Sequence, residues 1–283
     1  MKKIIMSLIA VFALLTGVVG CSSGSDEKLG TNGDVDVTIE EQVIYDEHDI
    51  KVTASGLDFD DIWGPSIEVL IENNSKKDVT VQADYCIVND LMTDTMFSSD
   101  VASGKKANDT ITMLYSDLEL EQLNDIQEIE LVLNIIDTDT YDTLYQSKVI
   151  NLKTNTYQSS EFTFDDSGEV AYEDDNYKIV VKKLDSEDSF WGADIYLYLE
   201  NNSKKDVTIQ TENVSINGFM VDPLFSCDVH SGKKAISSIT FFESDLEDNN
   251  IEDITELELK FNILNSKSYN TIKETKTIKL NFD

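Results

Sequence analysis

The sequence predicts an all-β chain built as two tandem β-sandwiches, each with one short helical turn. Three observations predict it. A twelve-residue phrase is written twice, as "IENNSKKDVTVQ" from Ile71 and "LENNSKKDVTIQ" from Leu199. Apolar and polar residues alternate at period two through both halves, the pattern of half-buried strands. Asn, Ser, Gly and Asp break these runs at short intervals, while the 283 residues contain only 2 Pro and no long helical period.

The length suits about two ordinary domains. Hydrophobic residues make up 41%, enough to build a buried core. The formal charge of −33 repels nucleic acid and acidic lipid alike, so it excludes nucleic-acid partners and leaves membrane attachment to an apolar or covalent anchor. Every basic side chain is Lys, so the planar fork that grips phosphate in two places is missing.

Residues 1–20 read as a lipoprotein signal peptide. Lys2 and Lys3 precede an apolar run that ends in small residues before Cys21. "VVGC" (Val18 to Cys21) resembles the bacterial lipobox, whose thiol takes a diacylglyceryl group before cleavage. The chain is therefore expected at the extracytoplasmic face of the cell membrane, held at Cys21 by palmitate-type acyl chains, since two chains make a stable anchor. No later stretch reaches 18 consecutive apolar residues. Residues 21–36, rich in Ser, Gly and Asp, read as a flexible tether with a reach of about 20 Å.

The duplication extends well beyond the opening phrase. Trp63-Gly64 matches Trp191-Gly192, and "SGKKA" at Ser103 matches Ser231. "SDLE" at Ser116 matches Ser244, and Tyr141 matches Tyr269. All keep an offset of 128, and about 43 of the 91 positions from Trp63 to Lys153 are identical. The copies occupy 37–153 and 164–283, joined by a polar linker over 154–163 whose composition predicts some hinge freedom.

Each copy reads as about seven strands. "LELKFNI" puts Leu257, Leu259, Phe261 and Ile263 on one face, and the first copy gives Ile129, Leu131, Leu133 and Ile135. The repeated phrase reads as strand, turn and strand, and "SGKKA" as a second turn in which Gly104 and Gly232 supply positive φ. Ser116 and Ser244, each with Glu three residues on, carry a capping-box signature and predict a short helical turn.

The W-G pair, the "NNS-K-DVT" phrase, "GKKA" and "SDLE" together resemble the immunoglobulin-like domains of Gram-positive surface lipoproteins whose function is uncharacterised. The resemblance covers nearly all of both copies. It implies two tandem immunoglobulin-like β-sandwiches on a lipid tether, and it carries no catalytic residue.

Little else in the sequence points to chemistry. Cys86 and Cys227 fall one in each copy at non-equivalent positions, so both are expected to stay reduced. His48 and His230 are not repeated, and no catalytic or P-loop spacing occurs, so no enzyme and no cofactor are expected. "DFDD" (Asp58, Asp60, Asp61) and "DTDTYD" (Asp137, Asp139, Asp142) alternate hard oxygen donors but lack the EF-hand form, and read as solvated loops, with no metal site. Trp63 and Trp191 read as core residues, with an exposed platform for sugar stacking as the alternative, and Tyr141 and Tyr269 face the same choice. Eight of the 22 lysines stand at two turns in each copy: Lys76, Lys77, Lys105 and Lys106, then Lys204, Lys205, Lys233 and Lys234. They are candidate ligand contacts toward cell-wall polymer or an envelope protein. The expected role is a lipid-anchored binding or adhesion module without catalysis, contacting a surface, glycan or protein ligand. The alternative is a spacer or accessory subunit of an envelope complex.

Overall fold

The computed structural model describes residues 31–32, 35–60, 63–115, 125–159, 161–186 and 192–282. The signal run, Cys21, Asp61, Trp191 and the helical turn expected at Ser116 lie outside them. Among the described residues no helix is long and apolar enough to cross a membrane.

A small ribbon, β1 (Thr31–Asn32) with β2 (Val35–Asp36), precedes the first repeat. That repeat holds β3 (Gln42–Glu47), β4 (Ile50–Asp58), β5 (Ser66–Asn73), β6 (Val79–Val88), β7 (Leu91–Met96), β8 (Ser98–Val101), β9 (Lys105–Leu114), β10 (Glu128–Asp137), β11 (Thr143–Gln146) and β12 (Ile150–Lys153). The second repeats the series as β13 (Glu169–Glu173), β14 (Tyr177–Asp185), β15 (Gly192–Asn201), β16 (Val207–Ile216), β17 (Phe219–Met220), β18 (Ser226–Val229), β19 (Lys234–Phe242), β20 (Glu256–Asn265), β21 (Thr271–Glu274) and β22 (Ile278–Asn281). Among the described residues one helix, α1 (Glu243–Asp248), follows β19.

In each repeat one sheet runs β3-β4-β5-β9, or β13-β14-β15-β19. The other centres on β6 with β10, or β16 with β20. β8 and β18 flank the first strand of these central pairs, and β11–β12 and β21–β22 flank the second. This is the immunoglobulin order. β4, β5 and β9 stand for strands A, B and E, and β6, β10 and β11–β12 for C, F and G. β3 is an added strand hairpinned to the first.

The predicted alternation is the core. Ile129, Leu131, Leu133 and Ile135 are fully buried, as are Leu257, Leu259, Phe261 and Ile263. Burying each such side chain contributes about 1.5–3 kcal/mol against exposure. Cys86 lies fully buried in the first core, where desolvation pushes its thiol pKa up to about 12.

Several expectations need correction. Among the described residues each repeat has ten strands where the sequence suggested about seven, because edge strands are interrupted. Ser147 divides β11 from β12, accepting the N–H of Leu133 on its hydroxyl at 2.9 Å, and Thr275 does the same for Phe261 at 2.9 Å. The second helical turn exists as α1, but Ser244 does not cap it. The N-cap is Phe242, with no side-chain hydrogen bond, and Ser244 sits inside the first turn. Trp63 is 55% exposed and not core. It stands in the turn before β5, where alternation has not begun. The glycine beside it explains the repeated dipeptide: a Cβ on Gly64 would sit 2.2 Å from the Met113 carbonyl oxygen, and one on Gly192 2.3 Å from that of Phe241.

The linker is pinned at its start, and the chain just beyond it is pinned to the second repeat. Asn155 accepts the Thr38 N–H at 2.9 Å and donates to the Asp36 carbonyl at 2.9 Å. Further along, Asp166 pairs with Lys178 and Asp165 with Lys182. The repeats also pack together, against the expected hinge freedom. Val180, Tyr198 and Ile236 line up across β14, β15 and β19 on the outer face of that sheet. They join the buried cluster of the first repeat. Met92 of the first repeat packs against the second core. β19 meets β7 in parallel at Lys234 and Leu91, where the Lys234 N–H donates to the Asp90 carbonyl at 3.0 Å.

Candidate functional site

The repeated phrase folds around one buried side chain. Asn73 ends β5 fully buried. Its Nδ2 donates to the carbonyls of Lys77 at 2.7 Å and Val101 at 2.8 Å, and its Oδ1 accepts from the N–H and hydroxyl of Ser75 at 3.0 and 2.6 Å. Asn201 repeats the same set with Lys205, Val229 and Ser203 at 2.8, 2.8, 3.0 and 2.7 Å. Each Asn therefore holds its own turn and the strand that leads into the "SGKKA" turn. The second turn is tied down further. The Ser103 and Ser231 hydroxyls donate to the carbonyls of Ser75 and Ser203 at 2.6 and 2.7 Å, and the Gly104 and Gly232 N–H groups donate to those of Asn73 and Asn201 at 2.8 and 2.7 Å. Gly104 and Gly232 take φ of 71° and 77°, as predicted.

These turns gather at one end of the sandwich. Asn74 N–H donates to Asp49 at 2.8 Å, bringing in the β3–β4 turn, and Thr138 N–H donates to Asp78 at 3.3 Å, bringing in the β10–β11 turn. In immunoglobulin terms this is the end that carries the B–C and F–G loops, where rigid strands position variable side chains.

The fold thus brings Lys76, Lys77, Lys105 and Lys106 to one exposed end of the first repeat. Two are engaged. Lys77 lies 2.6 Å from Asp137, and Lys106 pairs with Glu72. Each carboxyl is held below its ordinary value chiefly by its lysine's hydrogen bond. Asp137 also accepts the Asp139 and Thr140 N–H groups, both at 3.2 Å. This leading acid of "DTDTYD" therefore closes its own turn. Beside Lys77, the His48 and Tyr145 rings stack at 3.6 Å between centroids, and the Tyr45 hydroxyl meets His48 Nδ1 at 3.0 Å.

In the second repeat the lysine set is divided. Lys204 and Lys205 are exposed. Lys233 is turned into the interface, its side chain 17% exposed, on Asp90 at 2.6 Å and on Glu130. Lys234 stands over the Phe164 ring at 5.5 Å. The sequence could not separate Lys233 from Lys105, since both come from the same phrase. Comparing the two copies face by face would have done so, because only the second carries an apolar outer face on the sheet that holds this lysine turn.

The choice that the sequence left for Tyr141 and Tyr269, core residue or exposed platform, falls to the exposed side. Tyr141 and Tyr269 each stand on the β10–β11 or β20–β21 turn with left-handed φ of 62° and 54°. They are 80% and 68% exposed. A side chain with a Cβ costs about 1–2 kcal/mol there.

Between the repeats lies a cleft of about 1050 Å³. Ile87, Val132, Tyr85, His230, Cys227 and Lys233 are among its walls. Tyr85 and His230 meet edge to face at 4.2 Å. Lys233 of the second repeat pairs across it with Glu130 of the first, so it is a seam of the packing. Among the described residues no group of three His, Cys, Asp or Glu is placed to hold a metal ion.

No protein-family model matches the chain, and no curated protein matches it. Among solved structures, red sea bream transglutaminase is similar at 9% identity with a TM-score of 0.19. That similarity covers 83% of this chain, which spans 29% of the transglutaminase chain. A likeness at that TM-score carries no argument about fold or activity.

Proposed function

We propose that this chain is a lipid-anchored, extracytoplasmic binding module without catalysis, contacting a surface, glycan or protein ligand through the turn end of its first sandwich. One observation carries the reading. The buried Asn73 fixes two turns that present exposed Lys76 and Lys105, while the equivalent end of the second repeat is partly drawn into the interface. A rigid frame under exposed side chains is the arrangement of a loop-based binding site. The lipobox-like sequence at Cys21 supplies the anchor, and the extreme acidity keeps a tethered domain soluble.

The test is retention. The mature chain should be retained by purified cell wall, glycans or an envelope protein, and Lys76→Glu with Lys105→Glu should reduce that retention. No retention on any of them would defeat the reading. Cys21→Ala should move the protein from the membrane fraction to the soluble one.

A second reading, an accessory subunit docked on an envelope protein, is favoured by a separate observation. Phe219, Met220 and Leu224 are 48%, 66% and 64% exposed on the second repeat. Leu91, which corresponds to Phe219, is fully buried, and Met92, which corresponds to Met220, packs against the other repeat. Exposed apolar groups of this kind mark protein contacts. Co-purification of one envelope protein that is lost with Met220→Lys would favour it.

A further inference from the structure

Tyr141 and Tyr269 answer to no structural need. Their turns differ at every other position: "DTDTYD" from Asp137 against "NSKSYN" from Asn265. Only the tyrosine is shared. Each turn closes through backbone, with the tyrosine N–H donating to the Asp137 or Asn265 carbonyl at 2.8 Å in both cases. Neither ring is buried. Both occupy left-handed backbone, which glycine or asparagine adopts at lower cost. A strained, exposed aromatic kept in both copies, where its neighbours have drifted, points to a contact made by the ring.

We infer that Tyr141 and Tyr269 are paired stacking platforms for a saccharide chain, one per repeat; this rests on the binding-module reading above. The surroundings select the ligand class. A protein hot spot needs an apolar, desolvated pocket around its aromatic anchor. Here the neighbours are hydroxyls, amides and charges: Thr138, Asp139, Thr140 and Asp142 in one turn, Ser266, Lys267, Ser268 and Asn270 in the other. A pyranose ring meets such a site on both counts. Its C–H face covers the phenol ring, and its hydroxyls reach the flanking acceptors and donors. The carboxylates of the first turn repel polyanions, so the saccharide is neutral or amino-substituted. Two platforms on one packed body gain from a polymer that spans both.

The test uses the mature chain from residue 21 with cellohexaose, N-acetylchitohexaose and chitosan hexamer as probes, read by calorimetry and by saturation-transfer NMR at the tyrosine ring protons. At least one probe should bind, with transfer to both rings. Tyr141→Gly and Tyr269→Gly should each weaken it about tenfold, and Tyr→Trp should retain it. Glycine suits the left-handed backbone, so a loss with Gly at unchanged or raised melting temperature cannot be unfolding. Binding unaffected by both Gly variants overturns the assignment. So does retention of the chain by an envelope protein with no saccharide bound, which leaves the binding-module reading standing. Retention by nothing defeats both.

Discussion

The Lys233 ammonium stands 2.6 Å from the Asp90 carboxylate, across the boundary between the two repeats, and also binds Glu130. Its counterpart Lys105 is exposed to solvent. One lysine of a duplicated pair has become a clamp and the other has stayed at the surface. Burial alone would lower the Lys233 pKa, but the hydrogen bonds of the two carboxylates outweigh it and leave the group above its ordinary value.

The clamp should therefore be lost at alkaline pH. Its folded-state pKa lies above the unfolded one. Its contribution is complete below about pH 10.4 and declines as pH rises through the raised value. Lys233→Ala leaves Asp90 and Glu130 without their cation and should cost about 2 kcal/mol, below the range for fully buried pairs because the site is partly wet. Calorimetry should show one thermal transition in the parent chain resolving into two in the variant. A single unshifted transition would remove the clamp from the account.

Asn73→Ala and Asn201→Ala should be equally harmful. Each removes two donors and an acceptor from buried surroundings, and the matching distances in the two repeats differ by no more than 0.1 Å. Leaving those backbone groups unpaired should cost about 2–4 kcal/mol. Urea unfolding of each variant measures this, and a loss under about 0.5 kcal/mol at either site would show that water replaces the side chain.

Acid should release the start of the second repeat, just beyond the linker. The Ser167 N–H and hydroxyl, then Lys182, hold the Asp165 carboxyl down to about 2. A depressed carboxyl contributes above its unfolded value of about 3.9 and loses that contribution as pH falls toward 2. The Ser167 amide resonance should titrate with a midpoint near 2. A midpoint at the ordinary Asp value would show that the contact does not hold in solution.

What was legible in the sequence was what repeats along a strand. Ile129 to Ile135 and Leu257 to Ile263 declare their buried faces at period two, and the sandwich follows. Trp63 misled because size and apolarity say nothing of whether a residue stands on a strand or in the turn before it. Asn73 reads as a turn former, and only the folded chain shows it buried beneath the turn it makes. Lys233 was illegible for a different reason. Its role depends on Tyr198 and Ile236, which lie on the face that a single alternating strand assigns to solvent.

That asymmetry supports a prediction about the repeats apart. Val180, Tyr198 and Ile236 correspond to Thr53, Leu70 and Asn108 in the first repeat, cross-strand neighbours in the same register. Ile87 and Val132, buried on the outer face of β6 and β10, correspond to Ser215 and Lys260 in the second. Each repeat therefore has one apolar outer face, on opposite sheets, and the two apolar faces are turned toward each other. Four of the five counterparts are polar, Leu70 being the exception, so this head-to-tail contact closes after two units and does not propagate. Residues 37–153 alone should still fold as a β-sandwich by circular dichroism, since the inner core is complete. They should self-associate, because Ile87, Val132 and Leu91 are uncovered. Sedimentation should show that Ile87→Ser with Val132→Lys, the second repeat's own residues, restores a monomer. An isolated first repeat that is monomeric without those changes would mean that its outer face does not drive the packing.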